Sequence, residues 1–369
     1  MTAGRALRRA VARARSLIVP LCILLGGCFR FGPINLNIDQ IEYSRAVAEG
    51  ERAQVLLNII RIRYGDTPTF VNATQVISGY QLQRNVNGTF EVFPHAAAST
   101  FLGGGGSVQL QESPTFTFQP VGGEAFAQAF LRPLPPDQLL TLLLTAVPVD
   151  MLLGLTVQSI GSLQNARGFG ATAREEAADF DRLLHDLRRL QLAGLIRIRL
   201  EETFGPDGKP LPHPKRAYFS LKVPRDPDLA AVVADARRLL RLQPRAVEVE
   251  VVYGQTPSTS AQIAVLTRSM LDVLTQIALQ VEVPPGDIAR GRTVPTMERR
   301  ATERRAFVTI HSGPSKPDDS FGAVEYDKTW FWIDNHDFDS KVAFTLVTIM
   351  LAAAKTITAP GAVITILAG

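Results

Sequence analysis

The densest group of aromatic and ionisable residues lies near the C-terminus, in the segment Trp330-Phe-Trp-Ile-Asp-Asn-His-Asp-Phe-Asp339. Its polar members are Asp334, His336, Asp337 and Asp339. Alternate side chains of a strand share one face, so Trp330 and Trp332 would form a single aromatic surface. An aromatic surface beside carboxylates suits a glycan, a peptide partner or a divalent cation. This segment is therefore the candidate binding site.

The same segment also fits a structural role. Asp337 and Asp339 come just before or at the start of an apolar helical pattern over residues 338–354, where a carboxylate can cap the first turn. The helix needs a sheet beneath its apolar side, and the tryptophans could supply that sheet's core face. We therefore expect Trp330 and Trp332 to be chiefly core residues.

The sequence contains no familiar motif for a metal site or an activated nucleophile. The histidines lack metal-type spacing such as HExxH, the calcium-loop pattern fails near residue 334, and neither Gly-x-Ser-x-Gly nor Ser-x-x-Lys occurs. Four glycines at 103–106 are not followed by the Lys-Ser/Thr pair of a phosphate loop, and they predict a mobile tip. We expect no cofactor and no metal, and the pattern favours a non-enzymatic protein.

The N-terminus combines positive charge, an apolar run and a cysteine. Five arginines precede Leu17–Leu25 with no acidic residue among them, which is typical of a secretory signal. The apolar run is shorter than the roughly 20 residues that a membrane-spanning helix requires. Leu25-Gly26-Gly27-Cys28 resembles the bacterial lipobox. This resemblance implies that residues 1–27 are a signal peptide and that Cys28 carries lipid.

Two further features bear on location. Lipoprotein sorting depends on the residue after the lipidated cysteine, where aspartate favours inner-membrane retention, and Phe29 at this position implies the outer membrane. The mature chain is also similar to uncharacterised lipoproteins of proteobacteria, in the stretches Leu57–Pro68, Trp330–Asp334 and Asp339–Lys341. This second resemblance implies export and carries no activity with it.

Processing would change the charge and cysteine content of the chain. The formal net charge is +4, but loss of the five signal arginines leaves 34 basic against 35 acidic residues. No strongly basic field would remain to attract nucleic acid. Cys22 would leave with the signal and Cys28 would carry lipid, so no disulfide is expected. The remaining partner is the membrane, reached through the N-terminal lipid.

The alternation of helical and strand patterns predicts an α+β fold with mainly antiparallel short sheets and two subdomains. We assign residues 28–38 to a lipidated tether, 39–243 to an N-terminal α+β domain and 244–369 to a C-terminal α/β domain. Within the first domain, residues 172–223 resemble a winged-helix module, with a helix, Gly194 and a two-stranded wing. Without a basic field, we expect a structural or protein-contact role for this module.

These observations favour an outer-membrane-anchored periplasmic lipoprotein that binds or scaffolds an envelope component, either a protein or a glycan. The alternative is a periplasmic hydrolase acting on glycan or peptide. Its acid and base would come from the carboxylates at 334–339, one of them with a pKa raised by burial near the tryptophans.

Overall fold

The computed structural model describes residues 33–90, 102–165, 174–202, 204–205, 209, 216–243, 246–296, 307–355 and 364–367. Cys28 and the predicted signal peptide lie outside these residues. Helices and mainly antiparallel strands alternate along the chain, which confirms the predicted α+β class. The chain divides into two compact units, Met1–Gly50 and Glu51–Gly369, and every site described below lies in the second.

The elements are numbered in chain order. The helices are α1 (Pro33–Arg63), α2 (Gly123–Phe126), which runs into a π-helical turn (Ala127–Leu131), α3 (Pro136–Leu143), α4 (Val149–Thr156), α5 (Arg174–Leu192), α6 (Pro227–Leu239), α7 (Met270–Ala278), α8 (Pro285–Ala289) and α9 (Phe338–Lys355). The strands are β1 (Val71–Phe90), β2 (Leu102–Pro120), β3 (Val157–Ile160), β4 (Leu163–Gln164), β5 (Ile196–Glu201), β6 (Arg216–Leu221), β7 (Val249–Tyr253), β8 (Gln262–Thr267), β9 (His311–Gly313), β10 (Ser320–Tyr326), β11 (Thr329–Asp334) and β12 (Ile364–Leu367). Helix α1 thus begins before residue 39, inside the stretch predicted as a tether.

A six-stranded sheet has the order β4–β3–β8–β7–β6–β5. Its neighbours are antiparallel except for β7 and β8, which run parallel. Because β6 pairs with β7 and β3 pairs with β8, this sheet joins strands from both sides of the predicted domain boundary at 243/244. The sheet therefore does not stop at that boundary.

The helix, glycine and hairpin expected within residues 172–223 are present as α5, Gly194 and the β5–β6 pair. Gly194 has a φ of +66°, a conformation that suits the glycine ending of a helix. The hairpin is not a free wing, because β6 also pairs with β7. Residues 172 and 173, the first two of the predicted module, lie outside the described residues.

The helical spacing of apolar residues over 261–281 predicts a single helix there. This prediction is wrong over the first half, because Gln262–Thr267 form strand β8 and only Met270–Ala278 are helical. Strand β8 lies inside the sheet between β3 and β7, where both faces are covered and an apolar strand loses its alternation. Ser269 then starts α7 through a reciprocal capping box with Asp272.

The long antiparallel pair β1–β2 corrects two more predictions. The sequence Asn85-Val-Asn-Gly88 predicts a turn, but these residues continue β1, and residues 91–101 between the two strands lie outside the described residues. Gly103–Gly106, expected at a hairpin tip, lie instead in β2 opposite Val86–Thr89, while their predicted mobility stays a prediction. Backbone pairing needs no Cβ atom, so a glycine run can extend a ladder that its neighbours set in register.

A second three-stranded sheet positions the candidate site. Its order is β10–β11–β9, so β11 is the central strand. Phe331 and Ile333 of β11 are fully buried, together with Phe344 and Val347 of α9. The inner face of this sheet is therefore part of the hydrophobic core.

Candidate functional site

Trp330 and Trp332 lie on the outer face of β11, opposite the core. Both are half-buried, whereas Phe331 and Ile333 between and beside them are fully buried. The expectation that the tryptophans are chiefly core residues is therefore wrong. Side chains alternate across a strand, and here the odd-numbered residues take the core face.

The cross-strand neighbours of the two tryptophans include small residues. Trp330 pairs with Gly313 of β9, and Trp332 pairs with Ala323 of β10. The indole of Trp332 leans over Gly313, since a Cβ atom at this glycine would lie 3.2 Å from two of its ring carbons. Small neighbours leave parts of the indole faces uncovered. We call Trp330, Trp332 and the neighbours on their side of the sheet the tryptophan face.

Charged and polar groups border the tryptophan face. The Nζ atom of Lys316 lies 5.7 Å from the ring centroid of Trp330, within cation–π range. The ring of His311 lies 5.7 Å from that of Trp332, and its Nδ1 atom is 2.9 Å from Glu282 Oε2. The surface thus combines two aromatic rings with hydrogen-bonding groups of both charges.

The carboxylates predicted to join the tryptophans lie at the end of β11, for Asp334, or beyond it, for Asp337 and Asp339. Asp337 accepts hydrogen bonds from the backbone N–H and hydroxyl of Ser340, at 3.2 and 2.7 Å, which confirms its capping role at α9. Asp339 lies in the first turn of the same helix. The His336 side chain is 83% exposed and its Nδ1 atom lies 3.2 Å from Asp334.

Asp334 does not have the pKa that the hydrolase alternative requires. The backbone N–H of His336 donates a hydrogen bond to Asp334 Oδ1 at 2.7 Å, and the Nδ1 atom of the His336 ring lies 3.2 Å from the same oxygen. These interactions, the backbone hydrogen bond first, lower the pKa of Asp334. A general acid needs a raised pKa, so the tryptophans do not tune Asp334 for that role.

A second polar cluster, which the sequence analysis missed, surrounds Asp287 in the first turn of α8. Asp287 is 4% exposed and accepts hydrogen bonds from Tyr64 Oη at 2.7 Å, Arg290 Nη2 at 2.7 Å and Arg292 Nη1 at 3.2 Å. The hydrogen bond from Tyr64 and the two arginines lower the pKa of Asp287, against the opposing effect of burial. We call these four residues the Asp287 cluster.

The Asp287 cluster connects the end of α1 to the inner face of the β9–β11 sheet. The Tyr64 ring lies 5.1 Å from Tyr326 and 6.1 Å from Phe331. Burial and the hydrogen bond to Asp287 raise the pKa of Tyr64. Tyr64 therefore stays protonated while Asp287 stays ionised, so at neutral pH the cluster is a hydrogen-bonded clamp rather than a proton-transfer pair.

The clamp extends into the turn between β10 and β11. Tyr326 donates a hydrogen bond to Asp66, and Arg292 pairs with Asp327. Burial, followed by the hydrogen bond to Asp66, raises the pKa of Tyr326 to about 12. The segment Leu57–Pro68 places Arg, Tyr and Asp residues together at the end of a helix, which indicates a polar cluster. Its partners lie more than 200 positions away, so the sequence could not identify them.

A separate groove of about 520 Å³ lies between the start of α3 and the β6–β7 pair. Prolines and valines form its apolar part, Tyr253 is 52% exposed, and the lining residues are Arg132, Pro133, Pro135, Pro136, Asp137, Arg216, Glu250, Val251, Val252 and Tyr253. Arg216 lies 3.5 Å from Glu250, which also accepts a hydrogen bond from Gln262. These lining residues include no histidine, serine or cysteine.

Across the part of the chain that the structure describes, no group of three or more His, Cys, Asp or Glu residues is arranged to hold a metal ion. Among the helices so described, none is both long and apolar enough to cross a membrane.

Comparison of the chain with protein-family models, curated proteins and solved structures finds no match. The case for a function therefore depends on the geometry of the sites themselves.

Proposed function

We propose that this protein is a lipid-anchored protein of the outer membrane, facing the periplasm, that binds an envelope glycan on the tryptophan face without cleaving it. The observation that carries the proposal is the outward position of Trp330 and Trp332. Large aromatic side chains that could fill a core instead lie on a face of the sheet that is only half-buried. Such aromatic groups are typical of binding surfaces.

The arrangement suits a flat polar ligand. Residues two positions apart on a strand are separated by about 6.6 Å, so the two indoles lie side by side on β11. The Trp332 indole already covers Gly313, whereas the small side chain of Ala323 leaves room on the other side of Trp332, where the apolar side of a sugar ring can stack. Lys316, His311 and Glu282 supply donors and acceptors for sugar hydroxyls at the border.

The proposed anchor is Cys28, supported by the lipobox resemblance. Labelled palmitate should enter the wild-type protein and should not enter Cys28→Ser, because the thiol is the acylated group. Equal labelling of both proteins would refute this part of the proposal.

Glycan binding can be measured through the protein's own fluorescence. The chain has only two tryptophans, and both lie on the tryptophan face, so intrinsic emission reports on this surface alone. Titration with soluble peptidoglycan fragments should change the emission of the wild type. Trp332→Ala should bind purified sacculi at least tenfold more weakly in a sedimentation assay.

The matched control is Phe204→Ala, which removes an aromatic side chain that is 63% exposed near the β5–β6 hairpin. This variant should bind sacculi like the wild type. Unchanged emission on titration, together with equal sedimentation of Trp332→Ala and wild type, would overturn glycan binding at this face.

A further inference from the structure

The β1–β2 pair is far longer than the rest of the fold requires. It runs in register from Val71 opposite Pro120 to Phe90 opposite Leu102, with an irregularity near Ala73. Strand β1 has 20 residues, about 66 Å at 3.3 Å per residue, whereas strands usually have 3 to 10. Strand β12 pairs with β2 only over residues 115–118.

Two long edges of this sheet therefore have no strand beside them within the described residues. One is the outer edge of β1 along its whole length, and the other is the outer edge of β2 from Leu102 to Pro114. Each edge presents a row of backbone donors and acceptors that can pair with another strand.

Both edges carry little of the usual protection against pairing. Natural edge strands are short or carry lysine, proline or inward charges. In β1 the one charged residue is Arg84 and there is no proline. In the free stretch of β2 the one charged residue is Glu112, and the one proline, Pro114, stands at its end. Among the residues that the structure describes, both edges are thus open to an added strand.

The residue pattern restricts which strand can be added. Beyond Gln75, the large apolar residues of β1 stand mainly at alternate positions of the sequence, and the register sets Leu82 opposite Leu110 and Phe90 opposite Leu102. The positions between them pair Gln81 with Gln111 and Gln83 with Gln109. A one-residue slip would exchange the two faces, so the added strand must alternate in the same way.

A second copy of this chain meets that requirement. We propose that copies of this protein form a closed ring in which β1 of each copy pairs antiparallel with β2 of the next. Strand β2 is already the antiparallel partner that β1 accepts within one chain, with matching faces. Its free stretch, Leu102–Pro114, lies opposite Ser78–Phe90 and leaves β12 undisturbed.

Head-to-tail pairing explains both open edges, whereas a two-fold dimer does not. Pairing β1 with β1 of a second copy would leave the β2 edges of both copies open. A heterologous contact uses one edge of each kind in every copy, and closure of the ring leaves neither type of edge exposed.

The mass of the purified full-length protein in detergent tests the ring. Native mass spectrometry should show one closed oligomer in the wild type. A variant with Gln81→Lys, Gln83→Lys and Asn85→Lys on β1 should lose it, because three charges would line the contact between copies. Its tryptophan emission should match the wild type, which shows that the rest of the fold is intact, while its melting temperature should fall because association no longer stabilises the folded chain.

A wild-type protein that stays monomeric with an intact fold would overturn the proposal. So would a lysine variant that keeps both the fold and the oligomer. The pairing itself is tested by coexpressing two tagged copies, one with Gln83→Cys and one with Gln109→Cys, and treating them with a short bis-maleimide linker.

Cross-linking between the two kinds of copy should exceed cross-linking between two Gln83→Cys copies at least tenfold. A predominance of Gln83→Cys pairs would replace the ring with a two-fold dimer. Phe204→Cys, far from the pair in sequence, should give background cross-linking only.

Discussion

The two faces of strand β11 show how one short sequence divides between stability and a binding surface. On the inner face, Phe331 is fully buried and contacts Tyr64 of the Asp287 cluster. On the outer face, Trp332 is half-buried and leans over Gly313. The larger ring is therefore the more exposed one. The packing of neighbouring elements, and not the size of the side chains, therefore decides which face of a strand becomes the core.

Truncation of the inner aromatic residue should have the largest effect. Phe331→Ala removes a fully buried ring and should lower the free energy of unfolding by about 3 to 5 kcal/mol. Trp332→Ala removes a half-buried ring and should cost about 1 to 2 kcal/mol. Urea unfolding of the two variants measures both values. Equal losses would abolish the distinction between the two faces.

Loss of the carboxylate that supports the inner face should come next. Asp287→Asn removes a buried charge held by Tyr64, Arg290 and Arg292, and should cost about 2 to 3 kcal/mol. This lies below the cost of breaking a fully buried pair because both arginines are partly exposed.

The matched control is Asp319→Asn, whose side chain is 56% exposed near His336. It should change stability by less than about 0.5 kcal/mol. An Asp287→Asn protein as stable as this control would show that the cluster does not support the inner face.

Alkaline pH should lower the free energy of unfolding, because the Tyr326 phenol loses its proton. The pKa of Tyr326 is raised to about 12 in the folded protein, against about 10 for an unfolded tyrosine, so the protonated phenol favours folding. This stabilisation is complete below pH 10 and is lost as the pH rises towards 12. Wild type should therefore lose about 1 kcal/mol more than Tyr326→Phe over this window, after allowance for solvent screening.

Unfolding in urea at pH 9, 10 and 11 would show this difference. Tyr253→Phe, an exposed position outside the cluster, serves as the control and should follow the wild type. Parallel pH profiles for wild type and Tyr326→Phe would exclude a contribution from this phenol.

The smallest change in stability should come from the outer face. Gly313→Ala places a methyl group 3.2 Å from the Trp332 ring, and the indole must move by a few tenths of an ångström. Stability should change by less than about 1 kcal/mol, while the emission maximum shifts and sacculus binding weakens. Gly322→Ala, where a Cβ atom meets nothing within 4 Å, should leave emission and binding unchanged. Identical emission and binding of the two variants would show that Gly313 is not part of the binding surface.

Local patterns in the sequence were sufficient for several features of the site. The two-residue period placed Trp330 and Trp332 on one face, and of the two candidate caps, Asp337 and Asp339, the structure shows Asp337 capping α9. Both depend on residues within a few positions of one another. The same local reasoning assigned 262–267 to a helix, because an apolar run inside a sheet has no alternation to distinguish it.

Backbone periodicity and contacts between near neighbours are enough to predict the α+β class, a carboxylate cap on α9 and the common face of the two tryptophans. They do not reveal that Phe331 faces the core while the tryptophans do not, or that Tyr64 contacts Asp287 across 223 positions, because these depend on how distant elements pack. A strand has two equivalent faces until other elements cover one of them. The choice between them belongs to the packing of α1, α8 and α9, which no local pattern encodes.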